Sequence, residues 1–116
     1  MLFENKKIIE TIPISIATTN GSVPNIAIAA DVKVVSENQI LISHNEMIKT
    51  IHNIKENHHI CITVFDNTWQ GIRMHGTAKY FSDGKWKELA IELFANENTE
   101  PKGAILVTIT KIENQS

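Results

Sequence analysis

Hydrophobic residues alternate with polar or small residues along several stretches of the chain, and a two-residue period is typical of β-strands. The stretches cover 14–19, 26–35, 39–43, 60–65, 71–81 and 104–112. The dipeptide Asn20-Gly21 favours a hairpin after the first stretch, because both residues tolerate positive φ angles. The pattern predicts about six strands, an arrangement that favours an antiparallel barrel with appended helices.

A helical period replaces the alternation near the C-terminal end. Apolar residues recur there at i, i+3, i+4, i+7 and i+8, which predicts an amphipathic helix with one buried stripe. The stripe consists of Trp86, Leu89, Ala90, Leu93 and Phe94. A weaker pattern predicts a short helix over 2–9.

The third predicted helix follows the strand that ends at Ser43. Ser43 and Glu46 have the spacing of a capping box, and the helix is expected to end near Asn57. Its first turns carry Lys49 and Thr50. Unpaired N–H groups at a helix start attract anions, and a lysine and a hydroxyl strengthen such a site. These residues are therefore either a phosphate site or an ordinary solvated helix surface.

Length and charge narrow the choice of function. The chain has 116 residues, which suits a single domain over 1–116, and its formal net charge is −2. A nucleic-acid protein or a polybasic membrane-surface protein would need a basic face. No apolar run approaches the roughly 20 residues of a membrane span, and no signal peptide is evident. We therefore expect a cytoplasmic protein that binds neither nucleic acid nor membrane.

Several motifs occur in the order found in one known family. They are Asn20-Gly21, Pro24-Asn25, Met47-x-Lys49-Thr50, Gly76-Thr77-Ala78 and the closing strand 104–109. In order and spacing the chain resembles the pyridoxamine 5′-phosphate oxidase-like split barrels, and especially the small bacterial FMN-binding proteins. The resemblance implies a mainly β fold, a six-stranded antiparallel split β-barrel with two or three short helices. It also implies a homodimer that binds two FMN molecules at its interface.

The resemblance assigns roles to seven residues by position. The expected cofactor-binding residues are Lys49 and Thr50 at the phosphate, Ser43, His44 and Asn45 beside the ring and ribityl chain, and Ala27 and Ile28 facing the flavin. Ala27 and Ile28 replace aromatic or hydroxyl residues of some relatives. The small residues of the predicted strand 26–35 have two open interpretations, a ligand that approaches closely and tight sheet packing.

Three functional hypotheses follow. The first is an FMN oxidoreductase or electron carrier that serves a redox partner protein or a small-molecule substrate. The second is a non-catalytic flavin-binding or protein-interaction module of the same fold. The third, an oligonucleotide-binding barrel, is disfavoured by the near-neutral charge. No side chain is an obvious general acid or base, so catalytic residues stay unassigned.

Other candidate groups carry weaker predictions. Arg73 and His75 form an Arg-x-His triplet that true pyridoxamine 5′-phosphate oxidases carry near the C-terminus; here it lies mid-chain, so we do not expect that reaction. The spacing of the histidines predicts no metal site. Cys61 is expected to be an inert thiol. Trp69 has two interpretations, a barrel-edge residue and a cover for the flavin of a partner chain.

Overall fold

A computed structural model describes residues 1–115 of the chain. These residues form one antiparallel sheet, three α-helices and a 3-10 turn at Phe3–Asn5. The strands are β1 (Ile14–Asn20), β2 (Val23–Ala29), β3 (Val32–Ser36), β4 (Gln39–His44), β5 (His59–Phe65), β6 (Gly71–Phe81) and β7 (Gly103–Gln115). The helices are α1 (Lys6–Thr11), α2 (Ile48–Glu56) and α3 (Lys85–Phe94). Within residues 1–115, none of the helices has both the length and the apolar character that crossing a membrane requires.

The order of strands in the sheet explains the split in the barrel. The order is β2-β1-β5-β6-β7-β4-β3, so that β2 and β3 lie at opposite edges although they are neighbours in sequence. The short link through Ala30 and Asp31 joins the two edges, and the backbone N–H of Ser43 donates to the Asp31 carbonyl at 3.0 Å. The mainly β split barrel is thus confirmed, with seven strands instead of the six expected.

The extra strand comes from the stretch 26–35, whose alternation predicts one strand. The structure divides this stretch because its two halves pair with different partners. Ala29 lies opposite Ile14 of β1, whereas Val32 lies opposite Ile42 of β4. Alternation reports which face a residue occupies but carries no information about which strand it pairs with.

The main core fills the barrel. Its large side chains are fully buried and come from alternate positions of the strands, together with Leu2 and Ile9 from the N-terminal turn and helix. They include Ile14, Ile16, Ile40, Ile42, Ile62, Met74, Ile105 and Val107. A second, smaller cluster lies outside the barrel, where α3 packs on β4 and β7. The predicted α3 is confirmed, although Leu93 of its stripe is exposed.

The start of α2 differs from the capping-box prediction. β4 continues through His44, which pairs with Gly103, and the helix begins only at Ile48. The Ser43 hydroxyl lies 3.3 Å from the Asn45 side-chain oxygen instead of capping a helix. In a capping box the Ser43 N–H would donate to the Glu46 side chain, but here it donates to the Asp31 carbonyl. The capping-box prediction is therefore wrong, while the predicted end near Asn57 is confirmed.

Gly76 marks an irregularity in the longest pairing of the sheet. The register between β6 and β7 shifts between His75 and Gly76. A Cβ at Gly76 would collide with the backbone carbonyl of Thr108. The glycine therefore permits a close backbone approach at a bulge, as glycines inside strands often do.

Candidate functional site

A cavity of about 610 Å³ opens in the split between β2 and the segment that connects β4 to α2. Its size falls within the roughly 300–1,000 Å³ typical of sites for small ligands. One wall is the end of β2 with the link to β3, and the opposite wall is the start of α2. The lining residues are 25–31, Ser43, 45–50, Thr99, Glu100 and Lys102.

The structure brings together most of the residues that the resemblance singled out. Six line the cavity, namely Ala27, Ile28, Ser43, Asn45, Lys49 and Thr50. His44 is not among the lining residues. Neighbouring residues of a strand project to opposite sides, and the ring of His44 lies beside Tyr80 instead of the cavity. The alternation of β4 therefore separates His44 from its two neighbours.

The start of α2 supplies the polar end of the cavity. Lys49 and Thr50 are the second and third residues of the helix, and their backbone N–H groups precede the first intrahelical bond, from Ile51 to the Met47 carbonyl. Lys49 is exposed, whereas Thr50 is 1% exposed. A partial positive charge from the helix, a lysine ammonium and a hydroxyl therefore lie at one place, the combination that holds anions in proteins.

Side-chain amides dock α2 on β1 and β2. Asn25 Nδ2 donates to Thr50 Oγ1 at 3.2 Å. In the opposite direction, Asn53 Nδ2 donates to Thr18 Oγ1 at 3.0 Å. A third bond runs from Asn57 Nδ2 to Thr19 Oγ1 at 2.8 Å. This set of contacts, named the amide–hydroxyl ladder below, runs from Thr50 at the start of α2 to Asn57 after its last residue; only its first contact, between Asn25 and Thr50, lies in the cavity lining.

Asn25 and Lys102 are cavity residues that the sequence interpretation did not assign to the site. Asn25 belongs to the Pro24-Asn25 motif of the resemblance, so a signal existed for it. Lys102 lies in a polar loop, where no local sequence pattern marks it as a site residue. It reaches the cavity because β4 pairs with β7, and its backbone N–H donates to the His44 carbonyl at 2.9 Å. A contact of this kind depends on pairing between distant segments.

The small side chains of β2 leave room on the other wall. Ala27, Ala29 and Ala30 all line the cavity. Methyl side chains occupy little of the space beside a strand, so a flat group can approach the backbone there. Ile28 lines the cavity as well but lies on the outward face of the strand, and 62% of it is exposed. The part of the wall from Ala27 to Ala30 is therefore apolar and open on its outer side.

His44 takes part in a separate polar group inside the barrel end. It is 8% exposed, and its Nδ1 lies 2.8 Å from the Tyr80 hydroxyl. Its Nε2 is buried with no partner among residues 1–115. Burial, and then the charges of Lys102 and Lys55, lower the pKa of His44 below 6.5. These effects favour the neutral form of His44. Its backbone carbonyl, which accepts from the Lys102 N–H, helps to position the cavity wall.

Arg73 and His75 lie on the outer face of the sheet, away from the cavity lining. Arg73 Nε donates to Glu113 Oε1 at 3.0 Å, and His75 Nε2 lies 2.9 Å from the same oxygen. Lys111 Nζ lies 3.4 Å from the other oxygen. Hydrogen bonds from His75 and then Arg73 lower the pKa of Glu113 to about 2. The triplet therefore lies on the outer surface of the barrel.

The remaining candidates lie outside the cavity lining. Cys61 is partly buried on β5, and burial raises the pKa of its thiol, which keeps it protonated and weakly nucleophilic. Trp69 has a φ of 63° in the turn before β6 and stacks edge-on against Phe65 at 6.0 Å. Within residues 1–115, no three histidine, cysteine or carboxylate side chains converge as metal ligands would.

Comparison with known proteins places the chain in a family. The pattern of the family described as pyridoxamine 5′-phosphate oxidase matches residues 4–116. The chain belongs to this family. A sequence relative, an uncharacterized protein of Methanocaldococcus jannaschii, is 33% identical over 109 residues, which cover 90% of this chain and 72% of the relative.

Solved structures share the whole architecture. HupZ of Group A Streptococcus superposes with a TM-score of 0.90 at 25% identity, covering 100% of this chain and 95% of HupZ. An FMN-binding protein of Syntrophomonas wolfei superposes with a TM-score of 0.81 at 20% identity, covering 99% of this chain and 86% of that protein. At such identities the agreement shows the split-barrel fold.

Proposed function

We propose that this family member is a flavoprotein that binds FMN in the cavity beside α2. The observation that carries the proposal is the junction of a phosphate-type site with an apolar wall. Lys49 and Thr50 at the helix start supply the polar groups of this lining, and Ala27 to Ala30 supply apolar ones. FMN has the same division, a phosphate at one end and a flat ring at the other.

The residues present fit this cofactor in chemistry as well as in size. Lys49 and Thr50 would hold the phosphate with charge-assisted hydrogen bonds. Ser43 and Asn45 would contact the ribityl chain, since both line the same cavity. When bound, the flavin supplies hydride or electron transfer. The chain binds and orients the group, which favours an oxidoreductase or an electron carrier over a hydrolytic enzyme.

A homodimer is the second part of the proposal. Ile26 and Ile28 lie on the outward face of the edge strand β2, and 71% and 62% of them are exposed. Opposite them on β1 lie Ala17 and Ser15, which extends this face as a shallow, largely apolar surface. Exposed apolar edges favour association. Because Ile26 and Ile28 also line the cavity, a second copy on this face would cover the flavin.

Titration of the flavin-free protein with FMN and with riboflavin tests the cofactor. Riboflavin lacks the phosphate, so we expect its affinity to be lower by at least about tenfold. Lys49→Ala should weaken FMN binding by about tenfold or more while leaving riboflavin affinity nearly unchanged. Lys85→Ala is a matched control, because Lys85 stands at the start of α3 but lies outside the cavity lining. Equal affinities for the two flavins would contradict the proposal.

Light scattering tests the dimer separately. The wild-type chain should have twice its mass of 13.0 kDa. Ile26→Glu should shift it toward the monomer, because a charge on an apolar interface is costly to bury. A monomeric wild type that still binds FMN would overturn the dimer and leave the cofactor proposal intact.

Reduction of bound FMN by a nicotinamide donor would favour catalysis, and its absence would favour the non-catalytic module.

A further inference from the structure

The direction of the hydrogen bond between Asn25 and Thr50 affects which ligands the cavity can select. Thr50 Oγ1 accepts a hydrogen bond from Asn25 Nδ2 at 3.2 Å, and both residues line the cavity. A hydroxyl group has one hydrogen to donate and lone pairs to accept. Among residues 1–115 this is the one hydrogen bond of the Thr50 side chain, so its own hydrogen remains to be donated. An acceptor in the cavity is therefore a suitable partner for Thr50.

The surrounding contacts keep this polarity in place. Asn25 lies directly opposite Thr18 in the β1–β2 pairing, so the two side chains share a face. Thr18 in turn accepts a hydrogen bond from Asn53, which is 0% exposed. One bond runs from strand to helix and the next from helix to strand. Each bond has one partner in the facing pair Asn25 and Thr18. A shift of α2 along β2 would therefore break both bonds.

We propose that Asn25 is a positioning residue that makes the site select a phosphate anion. By donating to Thr50 Oγ1, its amide turns the hydroxyl hydrogen toward the cavity, where an anion accepts it. This inference rests on the proposed function, since the phosphate belongs to the flavin. The contact of Asn25 with Thr50 affects discrimination between FMN and riboflavin. The affinity for the ring and ribityl chain, which both flavins share, does not depend on it.

A double-mutant cycle tests the inference. Asn25→Ala should lower the ratio of FMN affinity to riboflavin affinity by about three- to tenfold, the value of one oriented hydrogen bond. In a Thr50→Val background the same substitution should leave the ratio unchanged, because no hydroxyl remains to be oriented. Flavin fluorescence measures both affinities, and thermal unfolding confirms that each variant is folded.

Asn57→Ala serves as the matched control. Asn57 makes the same amide-to-hydroxyl bond from the C-terminal end of α2, to Thr19 at 2.8 Å, outside the cavity lining. Its removal should leave the ratio unchanged. The inference is overturned if Asn25→Ala weakens both flavins equally, or if its effect persists in the Thr50→Val background. A wild type that binds no FMN overturns the proposed function itself, and the inference with it.

Discussion

Helices α2 and α3 both pack on the barrel, but they do so through different chemistry. α3 contacts the outside of β4 and β7 through apolar side chains around Ala90. α2 buries Ile51 and Ile54, but beside them it places the amide–hydroxyl ladder. Apolar packing is non-directional and tolerates small shifts, whereas hydrogen bonds specify position. The helix that borders the cavity is thus the one whose position is specified by polar contacts.

The largest expected effect falls on stability at α3. Trp86 is partly buried against the outer cluster. Trp86→Ala should lower the free energy of unfolding by about 2 kcal/mol, roughly half the cost for a fully buried tryptophan. FMN affinity should stay the same, because α3 lies outside the cavity lining. Denaturant unfolding and flavin titration measure the two quantities. Loss of FMN affinity in a folded variant would show that the two helices are not independent.

A smaller effect on stability, joined to an effect on binding, is expected at α2. Asn53→Ala removes the donor to buried Thr18 and should cost about 1–2 kcal/mol of unfolding free energy. FMN affinity should fall as well, because the helix start is no longer held in place. The double variant Asn53→Leu with Thr18→Val replaces both polar partners and should regain most of the stability.

Binding in this double variant distinguishes the two roles. If the bond between Asn53 and Thr18 only stabilises the fold, FMN affinity should recover together with stability. If this bond positions the helix start, affinity should stay low in the stable double variant. Recovery of both quantities would remove the contrast between α2 and α3.

The smallest expected effect is a pH dependence near α2. Lys55 of α2 lies over the Tyr80 ring, 5.3 Å from its centroid, and Tyr80 contacts His44. Burial, together with the charges of Lys102 and Lys55, lowers the pKa of His44 in the folded chain. Between that pKa and 6.5, the unfolded chain binds the proton more readily. The contribution of His44 to stability is therefore complete above 6.5 and is lost as the pH falls.

Thermal unfolding at two pH values checks this prediction. The midpoint temperature of unfolding should be lower at about pH 5.5 than at about pH 7.5. In His44→Phe this difference should be smaller. His52→Gln is the control, since His52 is exposed on the same helix region. An undiminished pH dependence in His44→Phe would place the responsible group elsewhere.

Several elements follow from local patterns alone. The alternation over 71–81 coincides with β6, and the apolar stripe from Trp86 predicts α3 within a residue or two. Such patterns reflect the period of one element against one buried face, and they need no knowledge of its neighbours. The helix-start pattern also singled out Lys49 and Thr50, which are the second and third residues of α2, and the resemblance assigned both to a phosphate.

Other features depend on which distant segments pair. The sequence by itself determined the mainly β class, the positions of most strands, the helix carrying Lys49, and the family pattern. Only the tertiary structure decided that 26–35 divides between opposite edges of the sheet, that β4 continues through His44, and that Lys102 reaches the cavity. The physical reason is that a side-chain period specifies a face, whereas the partner of a strand edge is chosen by backbone hydrogen bonding across the whole sheet.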